Sequence, residues 1–511
     1  MIPNSTENKS ENSPPARSAA SERQSASWDL KFAVRNYSTL VLSQFAVAFF
    51  SFASVSLIIR YLGTEGNGLI VAVIAASQIA QICFNWTSLA LARFGVEEFV
   101  ESETINKSFW TRSLILLPNV IILILLSKIW FPLISDLLKL SGDVYWLLIA
   151  HIVVFAFWIH IQHALQGAKL PRMQGGLLAV ERIFIFAGLL GLALTGRLDP
   201  LTALWAYILS PLPVALIGIL ELRKLLSWKI SFDFDWLKKI LKFSVPLIPF
   251  AVVGYFSTGY FDAVFISNYL SKADLGMYSV VYQISGILMQ FPSLAGVLLM
   301  PLFVTFQTNK QNENINLYLK EILPLVTFCW SGGCVLVAAA AGFVLPWFFG
   351  PEFDPAGKYL MVLGLGATFA MPLLTGYSPF TNAVSATYIS MIGGAAGALV
   401  NVGLNFYLIP RYGLLGCAWA TAFAFGTSFF VMMLVAHWRF RLRQNWTTQA
   451  VLPMIAGAAA VSWTNSIWTA LVIFGLFAFG LSVFRHKVII RGFRFLFKFK
   501  NNVRGLESEL N

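Results

Sequence analysis

Charge is scarce in this chain: only 12 % of its 511 residues are Asp, Glu, Lys or Arg, against about 25 % in soluble domains. With a hydrophobic fraction of 57 % and a mean hydropathy of +0.71, that shortage excludes a soluble globular fold. Cysteine is scarce as well. Cys83, Cys329, Cys334 and Cys417 all fall in apolar stretches, which excludes a disulfide framework, and Cys329 and Cys334 lack the spacing of zinc ligands. They read as small buried hydrophobes. The phosphate-binding pattern GxxxxGK[ST] is absent, and Gly393-Gly394-Ala395-Ala396-Gly397 lies inside an apolar run, so direct use of ATP is not expected. Long polar loops are missing too. The outer loops near 136–143 and 347–356 cannot hold a catalytic constellation, which disfavours a membrane-embedded glycan ligase or polymerase and enzymes in general.

What the chain does contain is fourteen apolar stretches: 37–60, 68–92, 113–135, 144–166, 174–196, 200–221, 244–267, 275–305, 318–346, 357–381, 384–409, 413–437, 450–466 and 467–484. A helical span needs about 20 such residues. Backbone amides in lipid must be bonded internally, so only helices or closed barrels cross a bilayer. Uninterrupted apolar runs without alternation exclude the barrel. The expected fold is an all-α polytopic membrane protein with about fourteen spans.

The net charge of +12 does not point to nucleic acid once its distribution is read. With the N-terminus cytoplasmic, 29 of the 36 Lys and Arg residues fall on the cytoplasmic side. The opposite side holds Arg60, Lys128, Lys139, Arg197, Lys272, Lys358 and Arg411. Such a bias orients a membrane protein with both termini in the cytoplasm, its basic segments facing anionic lipids. Residues 1–36, rich in Ser, Asn and Glu, read as a disordered tail with no signal-peptide core. The Asn4-Ser5-Thr6 sequon on that side is read as chance.

An internal repeat organises the spans. Tyr61, Leu62 and Gly68 match Tyr269, Leu270 and Gly276 at a shift of 208, and Arg197, Leu201, Trp205 and Ala206 match Arg411, Leu415, Trp419 and Ala420 at a shift of 214. Two parallel six-helix bundles follow, 37–221 and 244–437. Residues 222–243 join them as an amphipathic linker, with Leu237, Ile240 and Leu241 on one face and lysines on the other, as suits a helix lying in the interface. Residues 438–484 add two spans, and 485–511 form a basic cytoplasmic tail. Pro410 is expected to end the eleventh span, because it has no amide to donate, and Tyr412-Gly413 to make a tight outer turn.

Four segments carry a family likeness: Ile58 to Gly68; Phe243-Ser244-Val245-Pro246-Leu247 through Asp262 to Tyr278; Phe349-Gly350-Pro351-Glu352-Phe353; and Asn401 to Thr421, with Ile409-Pro410-Arg411-Tyr412-Gly413 at its centre. In these the chain resembles the MOP exporter superfamily, and within it the Wzx-like polysaccharide flippases. The resemblance implies two bundles in a V around a central cavity. It also implies flipping of an undecaprenyl-diphosphate-linked oligosaccharide by alternating access, for lipopolysaccharide O-antigen or exopolysaccharide synthesis. Glycosyltransferases and a polysaccharide polymerase would be its partners. A cation-coupled multidrug exporter of the same superfamily is the alternative.

Ionisable residues at membrane depth are costly and mark function by default. Asp262, among Tyr260, Phe261 and Phe265, stands where the first copy has Ser54. It could exchange a proton or hold Na⁺, or serve as a structural anchor or a partner to Arg60. No other cofactor is expected. Glu181 and Arg182 sit inside the fifth span. Arg182 suits a diphosphate, because a guanidinium is always charged and bonds two oxygens at once; snorkelling to headgroups competes. Arg93 at the end of the second span reads as a topology anchor or a headgroup ligand. Arg60 and Arg411 read as helix-end caps, and Arg60 stands with Arg182, Glu181, Asp262 and Arg93 as the five candidates to line a substrate cavity. His160 and His163, spaced i and i+3 without a carboxylate, read as edge polar residues and not as a metal site.

Overall fold

The computed structural model describes residues 19–227, 233–248, 252, 255, 259–308, 312–442 and 446–484. Among these residues there is no strand, and the elements are helices in series. The first half contains α1 (Ala19–Asn85), α2 (Ser88–Ser102), α3 (Asn106–Leu125), α4 (Ser127–Leu138), α5 (Tyr145–Gly167), α6 (Pro171–Leu194), α7 (Pro200–Leu209) and α8 (Pro211–Leu222). After α9 (Phe234–Ser244), the second half contains α10 (Gly259–Tyr269), α11 (Lys272–Thr308), α12 (Asn312–Leu317), α13 (Leu323–Phe349), α14 (Ala356–Pro372), α15 (Ser378–Ala383) and α16 (Thr387–Phe440). π turns at Tyr318–Ile322 and Leu373–Tyr377 join α12 to α13 and α14 to α15. Finally α17 (Thr447–Thr464) and α18 (Ile467–Phe484) pack on α13 and α14.

The protein is a multi-pass membrane protein. Eight helical runs among the described residues are long and apolar enough to cross a bilayer, and they do not map one to one onto the fourteen expected spans. The run Leu42–Asn85 has 44 residues and Thr387–Phe440 has 54. At 1.5 Å per residue each is about twice the length needed to cross. Both break at a glycine: Gly63 at φ +69, ψ −179 and Gly413 at φ +58, ψ −138. A side chain in such backbone costs about 1–3 kcal/mol, so glycine lets two spans meet without a loop.

Three boundaries differ from the sequence reading. Helix α1 begins at Ala19, inside the stretch read as a disordered tail; once a span has nucleated a helix, each added residue gains a bond without a new nucleus. Helix α16 runs through Pro410 and breaks three residues later, at Gly413. Proline frees the carbonyl one turn back, and the neighbouring Tyr407 carbonyl accepts from Arg411 Nη1 at 2.9 Å. Helix α3 begins at Asn106 rather than 113, because the Glu98 carboxylate accepts from the backbone N–H groups of Lys107 and Ser108 at 2.7 and 2.8 Å. Those are two of the donors a helix start leaves free. The C-terminal tail 485–511 and the sequon lie outside the described residues.

The linker helix α9 is seated on the first half. Asp233 caps it by accepting from the N–H groups of Asp235 and Trp236. The Trp236 amide, then the Lys107 ammonium, hold the Asp233 carboxyl below the usual carboxylate range. Trp236 Nε1 donates to Ser108 Oγ at 3.0 Å, Lys239 pairs with Glu97, and Ile240 is buried with Ala90 and Phe94. The exposed ion pairs contribute little each; the apolar contacts set the docking.

The short loops assigned to the outer side by the Lys and Arg distribution meet at one end of the molecule. There Asn268 donates to the Leu137 carbonyl at 2.5 Å, Lys272 to that of Leu138, and Thr64 faces Glu352 at 3.5 Å. At the opposite end Trp110 donates to the Ser227 carbonyl, and Lys107 pairs with Asp233.

Candidate functional site

A cavity of about 460 Å³ lies between α1, with Arg182 of α6 and Tyr207 of α7, on one wall and α10 with α11 on the other. Its lining is mixed: Ser51, Ser54 and Asn67 face Tyr260, Ser279, Tyr282 and Gln283. Gln283 Oε1 is buried without a hydrogen-bond partner among the described residues. That size and mixture suit an amphipathic ligand.

Toward the Gly63 end the cavity is closed by the repeat. Asn67 Nδ2 donates to the Gly276 carbonyl and to Ser279 Oγ, both at 2.9 Å. A Cβ on Gly68 would stand 1.9 Å from the Lys272 carbonyl oxygen, and one on Gly276 would stand 1.8 Å from that of Thr64. Gly68 and Gly276, like Thr64 and Lys272, are equivalent at the shift of 208, so the closure is a nearly two-fold contact between matched turns. Only glycine permits backbones to approach so closely. Along the seam of α1 and α11 the cavity continues into a groove holding Phe45 and Phe291, with Ala48, Ile287 and Gln290 shared by both.

Of the five candidates, Arg182 alone lines the central cavity, and among its described lining residues Arg182 alone carries a charge. Its Nε is buried without a hydrogen-bond partner. No ion pair to Arg182 occurs among the described residues. Arg182 also lines a second cavity of about 460 Å³ inside the first bundle, bounded by α1, α2, α5 and α6. Glu181 lines that second cavity; it is buried and accepts from Trp158 Nε1 at 2.9 Å. The two adjacent residues, about 100° apart on the helix, thus share one cavity while Arg182 reaches into the other.

Asp262 is not on the wall of the central cavity. It is 1 % exposed inside the second bundle, beside a pocket of about 20 Å³ bounded by Asn401, Thr421 and Ser428. Its carboxylate accepts from Asn405 Nδ2 at 3.0 Å and from Tyr278 Oη and Thr421 Oγ1 at 3.1 Å. Arg60, exposed at the Gly63 bend, is not among these partners. Tyr278 lines the central cavity, so Asp262 touches it through one phenol. Asn405 Oδ1 is buried without a partner. Arg93 is exposed and stacks on Phe243 at 4.8 Å, so docking of the linker end, not the cavity, engages it; with Arg60 it stands as a correction to the cavity set. The repeat equivalent of Asp262, Ser54, is a cavity-wall hydroxyl that donates to the Phe50 carbonyl at 2.7 Å.

Sequence reasoning missed a buried cation. Arg112, placed in a loop by the span count, is fully buried. It lies 2.5 Å from His160 Nδ1 and donates to Ser88 Oγ at 2.7 Å, while Ser113 Oγ meets His160 Nε2 at 3.0 Å. His160 is therefore a core partner and not an edge residue. No local signal marked it, since Arg112 flanks its apolar run and His160 lies 48 residues away in sequence. No group of three or more His, Cys, Asp or Glu residues able to hold a metal occurs among the described residues.

Comparison with known proteins fits this geometry. The family described as "Polysaccharide biosynthesis protein" matches residues 33–307. The solved structure of a lipid II flippase, MurJ, in an inward closed conformation is similar over 88 % of this chain and 99 % of its own, with 16 % identity and a TM-score of 0.65. A MATE multidrug transporter, DinF-BH, solved as a complex, covers 81 % of this chain and 96 % of its own, with 14 % identity and a TM-score of 0.57. An inward-facing MATE family transporter of the MOP superfamily covers 79 % and 94 %, with 15 % identity and a TM-score of 0.54. At these identities the likeness is one of fold. No curated protein matches the chain in sequence.

Proposed function

The chain belongs to the polysaccharide biosynthesis protein family within the MOP exporter superfamily, and from that premise we propose that it flips a polyprenyl-diphosphate-linked oligosaccharide across the bacterial plasma membrane, with both termini cytoplasmic. The observation that carries the reading is the sign of the cavity: its charged lining residue is the unpaired cation Arg182. A cation there attracts a diphosphate and repels a cationic drug, which favours the flippase over a multidrug exporter of the same fold. Sugars and a diphosphate cannot cross hydrocarbon unaided. The polar groups on the cavity wall admit them, while the groove at Phe45 and Phe291 leaves a lateral path for the lipid chain. Closure at Gly68 and Gly276 seals the outer end, and alternating access requires that contact to open.

Asp262 supplies the coupling in this proposal. Its carboxylate, Tyr278 Oη and Thr421 Oγ1 form an all-oxygen set suited to a proton or Na⁺. Tyr278 joins that set to the cavity wall. Anionic lipids, glycosyltransferases and a polymerase are its proposed surroundings.

The test is deletion of the gene from its source strain. Surface polysaccharide is expected to be lost while the lipid-linked glycan accumulates inside, with susceptibility to cationic drugs unchanged. Normal polysaccharide with increased drug retention would assign the exporter role instead.

A further inference from the structure

The second cavity, inside the first bundle, is not explained by a diphosphate in the central one. It is lined by neutral amides from two helices, Gln78 and Asn85 of α1 and Gln162 of α5, with His163 and the ring of Phe155 beside them. Asn85, His163 and Arg182 line this cavity, and each carries a buried atom, Oδ1, Nδ1 and Nε respectively, without a hydrogen-bond partner among the described residues. Buried polar atoms are ordinarily paired, and leaving one unpaired costs about 1–3 kcal/mol. Three such residues around one cavity hold hydrogen-bonding capacity that small side-chain shifts would offer to a polar ligand.

The chemistry narrows the ligand. A phosphate accepts only, so the oxygens of these amides, and Glu181 on the same wall, would be wasted on it. A sugar hydroxyl both donates and accepts, and side-chain amides offer both functions at once. The Phe155 ring adds an apolar face for the C–H surface of a pyranose. Arg182 is the lining residue that this cavity and the central one share. A ligand with a diphosphate next to its first sugar matches that order: anion at Arg182, sugar among the amides.

We infer that the cavity bounded by Gln78, Asn85, Gln162 and Phe155 is a selectivity pocket for the sugar residue next to the diphosphate of the lipid-linked substrate. The inference rests on the proposed flippase function and adds a site that reads the glycan. Binding through hydroxyls rejects a ligand lacking them more strongly than an apolar pocket rejects a size change, so glycan choice is set in the first bundle and not in the central cavity.

The test uses the full-length protein in nanodiscs and native mass spectrometry with two probes: undecaprenyl diphosphate, and the lipid-linked oligosaccharide extracted from the source strain. The parent protein is expected to prefer the glycosylated lipid. In Gln162→Leu, and independently in Gln78→Leu, that preference should fall about tenfold, while Arg182→Ala should weaken retention of both lipids. Thermal melting of each variant near that of the parent separates lost recognition from lost folding, and the two sites lie on different helices so that one well-folded variant suffices. An unchanged preference in a folded glutamine variant overturns the pocket and leaves the flippase standing. A parent that retains neither lipid overturns the flippase, and the pocket with it.

Discussion

At the scale of single residues, burial separates two kinds of ionisable group that look alike in a hydropathy profile. Asp262 holds three donors, from Tyr278, Asn405 and Thr421, so its removal leaves them facing nothing, at about 1–3 kcal/mol for each buried group unsatisfied. Asp262→Ala is therefore expected to lower protein abundance in membranes, as read by immunoblot. Asp262→Asn keeps hydrogen bonding and should accumulate normally, yet its transport into proteoliposomes should no longer respond to an imposed proton or sodium gradient. A parental gradient response in Asp262→Asn would make the carboxylate structural. Asp262 and Arg182 were legible in the sequence because a charge within an apolar run stands out. Arg112 was not, because it falls at the edge of its run and only the packing of α3 against His160 and Ser88 buries it. The glutamines and Asn85 of the second cavity escaped for another reason. A neutral amide costs less in a span than a charge does, and nothing in its spacing tells a cavity wall from a helix contact.

At the scale of elements, turns matter more than spans. The repeat-equivalent glycines Gly68 and Gly276 let two helix starts approach until carbonyl oxygens would lie under 2 Å from an added Cβ. Gly68→Val must push the halves apart at that end. Cysteines placed at Asn67 and Ser279 are expected to be joined efficiently by a short bifunctional thiol cross-linker in the otherwise parental protein, since the side chains of Asn67 and Ser279 touch. The yield should fall several-fold when Gly68→Val is added. An undiminished yield, with protein levels maintained, would show that this contact does not set the closure. The Tyr-Leu-Gly correspondence made the two turns visible in the sequence, but not their mutual contact, which depends on how the halves face each other. The end of the eleventh span illustrates the converse: Pro410 is the strongest local breaker on paper, yet the bend sits at Gly413, where the backbone takes a conformation that proline's fixed φ forbids.

At the scale of the molecule, the scarcity of charge and the long apolar runs sufficed to read an all-helical membrane protein. The number of crossings did not follow as simply, since helices continue through bends that a hydropathy profile divides. The account's central claim is that the cavity carries a lipid-linked anion with Arg182 as its counter-charge. The most direct measurement places purified protein in liposomes containing the source strain's lipid-linked oligosaccharide, labelled on its sugar with a dithionite-quenchable dye. With the parent protein, dithionite added outside should bleach both leaflets' share of dye. With Arg182→Ala the inner share should bleach at least tenfold more slowly, and Arg182→Lys should recover only part of the rate because the two-pronged bond is lost. Inner-leaflet dye as protected with the parent protein as in empty liposomes would contradict the account.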